Sequence, residues 1–159
     1  MSQENELLSA VGVDYSPLRD LLVAGQWQKA DEETGAIMLK IARRVTGGSL
    51  REEDIQEFPC PDLKTIDQLW LKYSQGCFGF SVQSRIWSSV GSDYAKFSDR
   101  VEWRLYASWQ HWRKYPDLIF SLCAPEGHLP AAPFFKSDGL PIGWAASLKP
   151  KLLDCCAED

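Results

Sequence analysis

Residues 62–87 read DLKTIDQLWLKYSQGCFGFSVQSRIW, and this stretch decides the fold of the chain. In 63–73 the apolar residues recur every three or four positions, which predicts a helix with one buried face. The pattern breaks at 74–76, passes through the tight turn of 78–80, and resumes with helical spacing in 82–90. Water penalises exposed rings, so a corner formed by two helices and an aromatic loop should be buried. We therefore expect the remaining segments to pack against this helix–loop–helix corner.

Upstream of the corner, the sequence predicts three more helices. Ser16 followed by Pro17 is typical of a helix start, and Gly25 is typical of a helix end. A second helix is predicted over 26–43 and a third over 50–57.

Downstream of the corner, Ser92 caps a predicted helix, and a last helix is predicted over 145–155. The 159 residues suffice for one domain with a substantial core, and no repeat or linker divides them. We predict an all-α, single compact domain of about six to eight short helices. Residues 1–13 are predicted to be a flexible N-terminus, and 14–159 the helical domain.

Acidic residues cluster in the second predicted helix, where Asp31, Glu32 and Glu33 suit the positive end of the helix dipole. A charge run of this kind usually marks a solvated face, so all three are expected at the surface. At the start of the third helix, Ser49 and Glu52 fit a capping box.

Charge and hydropathy exclude several classes of protein. The net charge of −5 argues against a nucleic-acid partner, which would require a basic face. No apolar run approaches the roughly 18 residues that a membrane span requires. The N-terminal MSQENELLSA lacks the basic flank and apolar core of a signal peptide and the Arg-rich character of a transit peptide. A cytoplasmic location is therefore expected.

The five cysteines, at positions 60, 77, 123, 155 and 156, form no CxxC pair. An odd number without metal-ligand spacing favours reduced, mostly buried thiols over a disulfide framework or a zinc site. No metal site is predicted.

Catalytic chemistry has one candidate, a Cys–His nucleophilic pair formed by Cys123 and His128. Such a pair requires close geometry and a third orienting group, and the sequence demonstrates neither. Because free cysteine is usually a buried structural residue, a structural thiol is the favoured interpretation. We predict that the protein is not an enzyme and has no catalytic residue.

Aromatic residues are unusually frequent, with seven Trp in the chain. From 103 to 112 every third residue is Trp or Tyr, which would form one aromatic stripe if the segment is helical. A stripe of this kind is more often core than binding site. The loop-like segment 131–146 carries Phe134 and Phe135. Because this segment shows no helical periodicity, their rings cannot be assigned to a buried helix face. Such rings are a stronger indication of a binding surface.

Two motifs together resemble one family closely: the 62–87 stretch, and LIFSLCAPEGHLP at 118–130. DYSPLRDLLVAGQWQKADEET at 14–34 and REEDIQEFPCPDL at 51–63 are similar to the opening helices of the same domain. The family is the genomes-uncoupled-four family, the porphyrin-binding regulators of magnesium chelatase in cyanobacteria and plastids.

The resemblance implies an all-helical domain with a concave apolar cleft for protoporphyrin IX or its magnesium form, and in some members for linear bilins. It also implies a non-catalytic protein without a required cofactor, which stimulates magnesium chelatase through the large porphyrin-binding subunit and can associate peripherally with membranes. We expect a monomer. A tetrapyrrole is a broad apolar disc with carboxylates on one edge, so the cleft needs apolar walls and a basic rim.

Carried onto this sequence, the resemblance places FGFSVQ, at 78–83, as scaffold beneath the cleft. His128 can be interpreted as an axial ligand or as a residue that holds the loop backbone by hydrogen bonds. The predicted ligand-binding residues are Leu50, Ile55 and Phe58 on one wall, and Trp109, Trp112, Leu118, Phe120, His128, Leu129, Phe134, Phe135 and Lys136 on the other wall and lid.

The segment after GHLP departs from the family pattern. Chelatase-activating members tend to follow GHLP with an arginine-bearing segment, whereas here Lys136 is the only nearby base and no Arg follows residue 113. Lysine pairs with a propionate without the bidentate geometry of arginine. The alternative function is therefore a module of the same fold that binds a bilin, a haem-like pigment or a partner protein without activating chelatase.

Overall fold

The computed structural model describes residues 7–43, 50–105, 113–134 and 150–155, and its regular structure is helical. The predicted all-α, single-domain fold is confirmed. The helices are α1 (Ser16–Val23), α2 (Trp27–Ile41), α3 (Glu52–Gln56), α4 (Cys60–Tyr73), α5 (Phe80–Ser89) and α6 (Tyr94–Arg100), followed by 3₁₀ turns at Tyr115–Asp117 and Ala132–Phe134 and a helical stretch at 150–155.

The helix–loop–helix corner formed by α4 and α5 is buried, as predicted. The rings of Trp70 on α4 and Phe78 in the loop are both inaccessible to solvent. Each packs against Trp27 of α2, with centroid separations of 6.2 Å and 5.8 Å. The indole N–H of Trp70 donates to Thr34 Oγ1 at 2.9 Å. The corner therefore docks on α2 through rings and one buried hydrogen bond.

Gly79 shapes the turn between α4 and α5. Its φ is +133°, and a Cβ at this position would lie 2.9 Å from Oδ1 of Asp67. That same oxygen accepts hydrogen bonds from the main-chain N–H and the hydroxyl of Ser81 at 2.9 Å and 3.2 Å. A residue of α4 thus stabilises the first turn of α5, and only glycine lets the chain pass so close to it.

The N-terminal segment is held in place by a buried residue of α4. The Asp62 side chain accepts hydrogen bonds from Ser9 Oγ at 2.5 Å, from the Ala10 N–H at 2.8 Å and from Tyr15 Oη at 2.7 Å. Ser9, Ala10 and Tyr15 are thus attached to α4 by side-chain hydrogen bonds. Periodicity cannot reveal an anchor that lies about 50 residues away in the chain.

Two local expectations differ from the structure. α6 ends at Arg100 and residues 101–105 are not helical, so Trp103 does not stand on a helical stripe. Glu102 has a φ of +59°, which turns the chain and directs Trp103 into the core. α3 is shorter than predicted, and its start is capped by Asp54, which accepts from the Arg51 N–H at 2.8 Å.

Cys60 and Cys155 form a disulfide bond, so the prediction of reduced thiols is wrong for this pair. The two residues are 95 positions apart, a distance at which spacing in the sequence carries no information on pairing. Cys77 and Cys123 are free thiols, half-buried and exposed respectively, and Cys156 lies outside the described residues.

In the described part of the chain, no helix combines the length and apolarity that crossing a membrane requires. Within these same ranges, no group of three or more His, Cys, Asp or Glu side chains is placed to hold a metal ion.

The Asp62 anchor makes a testable prediction. Asp62→Ala leaves several donors without their acceptor, and an unsatisfied buried polar group costs about 1–3 kcal/mol. We expect the free energy of unfolding, measured by urea denaturation, to fall by about 2–4 kcal/mol. The matched control is Asp20→Ala on α1, where the carboxylate is 68% exposed. There the change should stay within about 0.5 kcal/mol. Equal losses in the two variants would contradict the anchor.

Candidate functional site

Asp31, on α2, carries a fully buried carboxylate beside the segments predicted to form one wall of the site. It accepts hydrogen bonds from Tyr115 Oη at 2.6 Å, from the Ala131 N–H at 2.7 Å and from the Ala132 N–H at 3.0 Å. The prediction that Asp31 lies on a solvated face is wrong. The amides of a distant turn need an acceptor in the core, and this carboxylate supplies it. Asp31 thereby ties α2 to both 3₁₀ turns.

The environment of Asp31 shifts the acidity of its neighbours as well as its own. Burial raises the pKa of Asp31 to about 6, against the opposing effect of the hydrogen bonds from Tyr115 and the two amides. Burial and the nearby Asp31 charge raise the pKa of Tyr115. One turn further along α2, a Cβ on Gly35 would lie 3.0 Å from Cβ of Ala132. The glycine thus lets the 132–134 turn approach the helix closely.

His128 joins three segments through its ring and its main chain. Its Nε2 accepts from the Ile119 N–H at 2.9 Å, and its Nδ1 lies 2.5 Å from the Val101 carbonyl oxygen. Since a carbonyl oxygen can only accept, Nδ1 carries the proton. The indole N–H of Trp103 donates to the His128 carbonyl at 2.9 Å. Burial lowers the pKa of His128, which keeps the imidazole neutral.

This geometry decides between the interpretations of His128. An axial ligand to a pigment metal needs an unoccupied ring nitrogen, and both nitrogens of His128 are bonded to main-chain groups. The same two hydrogen bonds leave no ring nitrogen free to act as the base of a Cys–His nucleophilic pair. In addition, Cys123 is exposed whereas the ring of His128 is fully buried. His128 therefore holds the loop backbone.

The segments 78–83 and 127–130 contact each other directly. Gly79 N–H donates to the Leu129 carbonyl at 3.1 Å. The side-chain amide of Gln83 donates to the carbonyls of Gly127 and Pro130, at 3.0 Å and 2.9 Å. The start of α5 thus fixes the course of the 127–130 loop.

On this side of the site, the described members of the predicted wall are mostly core residues. Leu118, Leu129 and Phe134 are buried. The ring of Phe134 packs against Trp103 with a centroid separation of 5.0 Å. Phe120 is half-buried, and its ring meets Tyr115 edge-on at 5.5 Å.

The other wall of the predicted site comprises α3 and its flanks. Leu50, Ile55 and Phe58 are all buried, with at most 4% of their surface exposed. Phe58 also borders a hollow of about 140 Å³ that contains Arg43, a base that is not among the predicted site residues. The hollow is lined by Ile41, Ala42, Arg43, Asp54, Glu57, Phe58 and Pro59.

A larger groove of about 460 Å³ lies elsewhere and contains none of the predicted site residues. Its charged residues are Asp14, Glu33 and Lys40, so acids outnumber bases there. A ligand that carries two carboxylates would be repelled more than attracted. This groove is a poor match for a porphyrin.

Four of the predicted site residues, Trp109, Trp112, Phe135 and Lys136, lie outside the described residues. The apolar cleft between the two walls therefore stays a prediction.

The chain is similar to known proteins in both sequence and fold. Residues 8–141 match a family model described as GUN4-like. A "Ycf53-like protein" from Synechocystis sp. is 38% identical over 128 residues, which cover 78% of this chain and 53% of that protein. The "Tetrapyrrole-binding protein, chloroplastic" of Arabidopsis thaliana is 33% identical over 125 residues, 73% of this chain and 47% of that protein. The chain thus spans about half the length of the curated relatives it matches.

Solved structures match over almost the whole chain. GUN4 from Chlamydomonas reinhardtii superposes with a TM-score of 0.71 at 29% identity, covering 92% of each chain. Ligand-free GUN4 from Arabidopsis thaliana superposes with a TM-score of 0.65 at 29% identity, covering 91% of this chain and 94% of that one.

The buried Asp31 predicts a pH-dependent stability. Because its pKa of about 6 in the folded protein exceeds the ordinary value of 3.8, the folded state holds this proton more tightly than the unfolded chain. The resulting stabilisation is complete at low pH and is lost as the pH rises through about 6. Relative to Asp31→Asn, the wild type should lose on the order of 2–3 kcal/mol of unfolding free energy between about pH 4 and pH 7.

Tyr115→Phe provides an internal check on this prediction. It removes a hydrogen bond that lowers the pKa of Asp31, so the midpoint of the stability loss should move to higher pH. Tyr73→Phe on α4 is the matched control and should leave the midpoint in place. Denaturation curves that show no difference between wild type and Asp31→Asn across this range would contradict the assignment.

Proposed function

This chain belongs to the GUN4-like family, and we propose that it is a non-catalytic protein that binds a tetrapyrrole, protoporphyrin IX or its magnesium form. Membership confirms the resemblance to the genomes-uncoupled-four family on which the sequence prediction rests. The match of the family model across most of the chain is the observation that carries the proposal. The name of the Arabidopsis relative as a tetrapyrrole-binding protein supports it.

The framework around the predicted site suits a broad, rigid ligand. Asp31 and His128 fix the 113–134 segment by buried hydrogen bonds, and Gln83 fixes the 127–130 loop. A site whose walls are already ordered loses less conformational entropy when it binds. The half-exposed ring of Phe120 offers apolar surface beside this framework.

The carboxylates of a porphyrin require cations at the edge of the site. Arg43 borders the hollow beside Phe58, at the end of α2, and its guanidinium is suited to pair with a propionate. We propose Arg43 for this role together with Lys136. Two nearby acids, Asp54 and Glu57, share the hollow, but Asp54 already pairs with Arg51 at 2.9 Å.

We propose that the protein binds the large subunit of magnesium chelatase and stimulates the enzyme. It would do so as a monomer that associates peripherally with membranes. The alternative is pigment or partner binding without activation of chelatase. The absence of arginine after residue 113 favours that alternative, because no guanidinium from this part of the chain can reach a pigment carboxylate.

Titration with deuteroporphyrin tests the binding proposal. The chain contains seven Trp, so a bound porphyrin should quench tryptophan fluorescence by energy transfer. The quenching should reach a plateau as porphyrin is added. The control is free tryptophan under the same absorbance. Quenching no stronger than that of the free amino acid would falsify tetrapyrrole binding.

Charge variants test the proposed basic rim. Arg43→Gln and Lys136→Gln should each weaken deuteroporphyrin binding by about tenfold, the value of one charge-assisted hydrogen bond. The matched controls are Arg100→Gln and Lys29→Gln, which remove exposed charges on α6 and α2. Equal weakening by the controls would show that net charge alone attracts the ligand.

A magnesium chelatase assay separates the two functions. If the protein is a regulator, adding it should raise the rate of magnesium insertion into deuteroporphyrin. If binding is intact and the rate does not change, the alternative function is correct.

A further inference from the structure

The Cys60–Cys155 disulfide joins two segments that are 95 residues apart in the chain. Cys60 is the first residue of α4, and Cys155 lies in the helical stretch 150–155. Cys155 is completely buried, whereas Cys60 is half-buried. The bond therefore holds the 150–155 stretch against the start of α4.

A second contact links the same two regions. Lys151 Nζ donates a hydrogen bond to the carbonyl of Gln56 at 2.9 Å, and Gln56 is the last residue of α3. Leu152 packs against the core between these two attachments. The 150–155 stretch is thus docked across the junction 56–60 that connects α3 with α4.

This junction is part of the predicted pigment wall. Phe58 lies two residues before Cys60, is buried, and borders the hollow that contains Arg43. Ile55 precedes it in α3 and is fully buried. A change that loosens this junction would therefore displace Ile55 and Phe58, two of the predicted ligand-binding residues.

We propose that the Cys60–Cys155 disulfide is a redox-controlled clamp that holds the α3–α4 junction in its pigment-binding form. The effect on pigment rests on the proposed function, whereas the clamp itself does not. Reduction releases the 150–155 stretch from the junction and lowers the affinity for tetrapyrrole.

The chemistry is thiol–disulfide exchange with a dithiol as reductant. One thiolate of the dithiol attacks Sγ of Cys60, the less buried of the two cysteines, and Cys155 leaves as a thiolate that takes up a proton. The second thiol of the reductant then attacks the mixed disulfide and releases Cys60. The protein gains two electrons and two protons, and the dithiol becomes a disulfide. Re-oxidation runs the same steps in reverse with a disulfide oxidant.

Two features favour exchange over a permanent structural bond. Cys60 lies in the first turn of a 14-residue helix, where the helix dipole favours a thiolate. If the chain resides in the cytoplasm, as its sequence predicts, disulfides there are usually transient or redox-sensing.

The first measurement requires no pigment. Oxidised and dithiothreitol-treated protein are alkylated with iodoacetamide and mapped by mass spectrometry. We expect Cys60 and Cys155 to be modified only after reduction, while Cys123 is modified in both states. Hydrogen exchange of 52–60 and 150–155 should rise on reduction, and that of α5 should not. Modification of Cys60 without reduction, or unchanged exchange at 52–60, would overturn the clamp.

The second measurement compares deuteroporphyrin affinity in the two states. We expect the oxidised protein to bind at least about fivefold more tightly, as is common for coupled sites. Cys60→Ser should bind like the reduced wild type whether or not dithiothreitol is present. Serine is tolerated in the first turn of a helix, so this variant should fold. The control is Cys123→Ser, which removes an exposed free thiol and should retain the full redox response.

The two measurements separate failure of the clamp from failure of the function. If exchange rises on reduction but neither state binds porphyrin, the proposed function is wrong and the clamp stands. If both states bind porphyrin equally, the function stands and control of the site by this disulfide is wrong.

Discussion

The carboxylate of Asp31 is the constraint on which the second half of the structure depends. It accepts hydrogen bonds from residues that follow it in sequence by 84 to 101 positions, and no part of it reaches solvent. A buried carboxylate is costly unless donors surround it, so this position tolerates few alternative arrangements. The amides of Ala131 and Ala132 in turn have their acceptor only if the turn lies against α2. The placement of Phe134 follows from that contact.

Buried aspartates recur as a means of fixing segments without regular structure. Asp62 holds the N-terminal segment, and Asp67 holds the start of α5. His128 serves the same purpose with a neutral ring. An all-helical domain has no sheet edge to which a loop can add, so the orphan main-chain groups of its loops need side-chain partners. This explains why irregular segments such as 113–134 follow a defined course.

Periodicity predicts the helices of this chain well and its connections poorly. The α4–α5 corner could be predicted because a helix that packs on one face repeats its apolar residues locally. Asp31 could not be assigned correctly, since its acidic neighbours are typical of a solvated face and its partners are distant. The same limit applies to the Cys60–Cys155 pair. For the candidate site, the resemblance pointed to Phe58 and Phe134, whose rings the structure shows to be buried. The hydrogen bonds of His128 and the position of Arg43 beside Phe58 could be found only in the structure.

The two walls of the predicted site are stabilised by different kinds of interaction. The wall at 113–134 is fixed by hydrogen bonds to Asp31 and His128, whose strength depends on protonation. The wall at α3 is fixed by a covalent bond beside Phe58, whose presence depends on oxidation. A rigid disc held between two walls loses contact when either one moves, because dispersion contacts weaken within a fraction of an ångström. Under the proposed function, each wall would therefore control binding of the same ligand independently, one in response to pH and the other in response to oxidation.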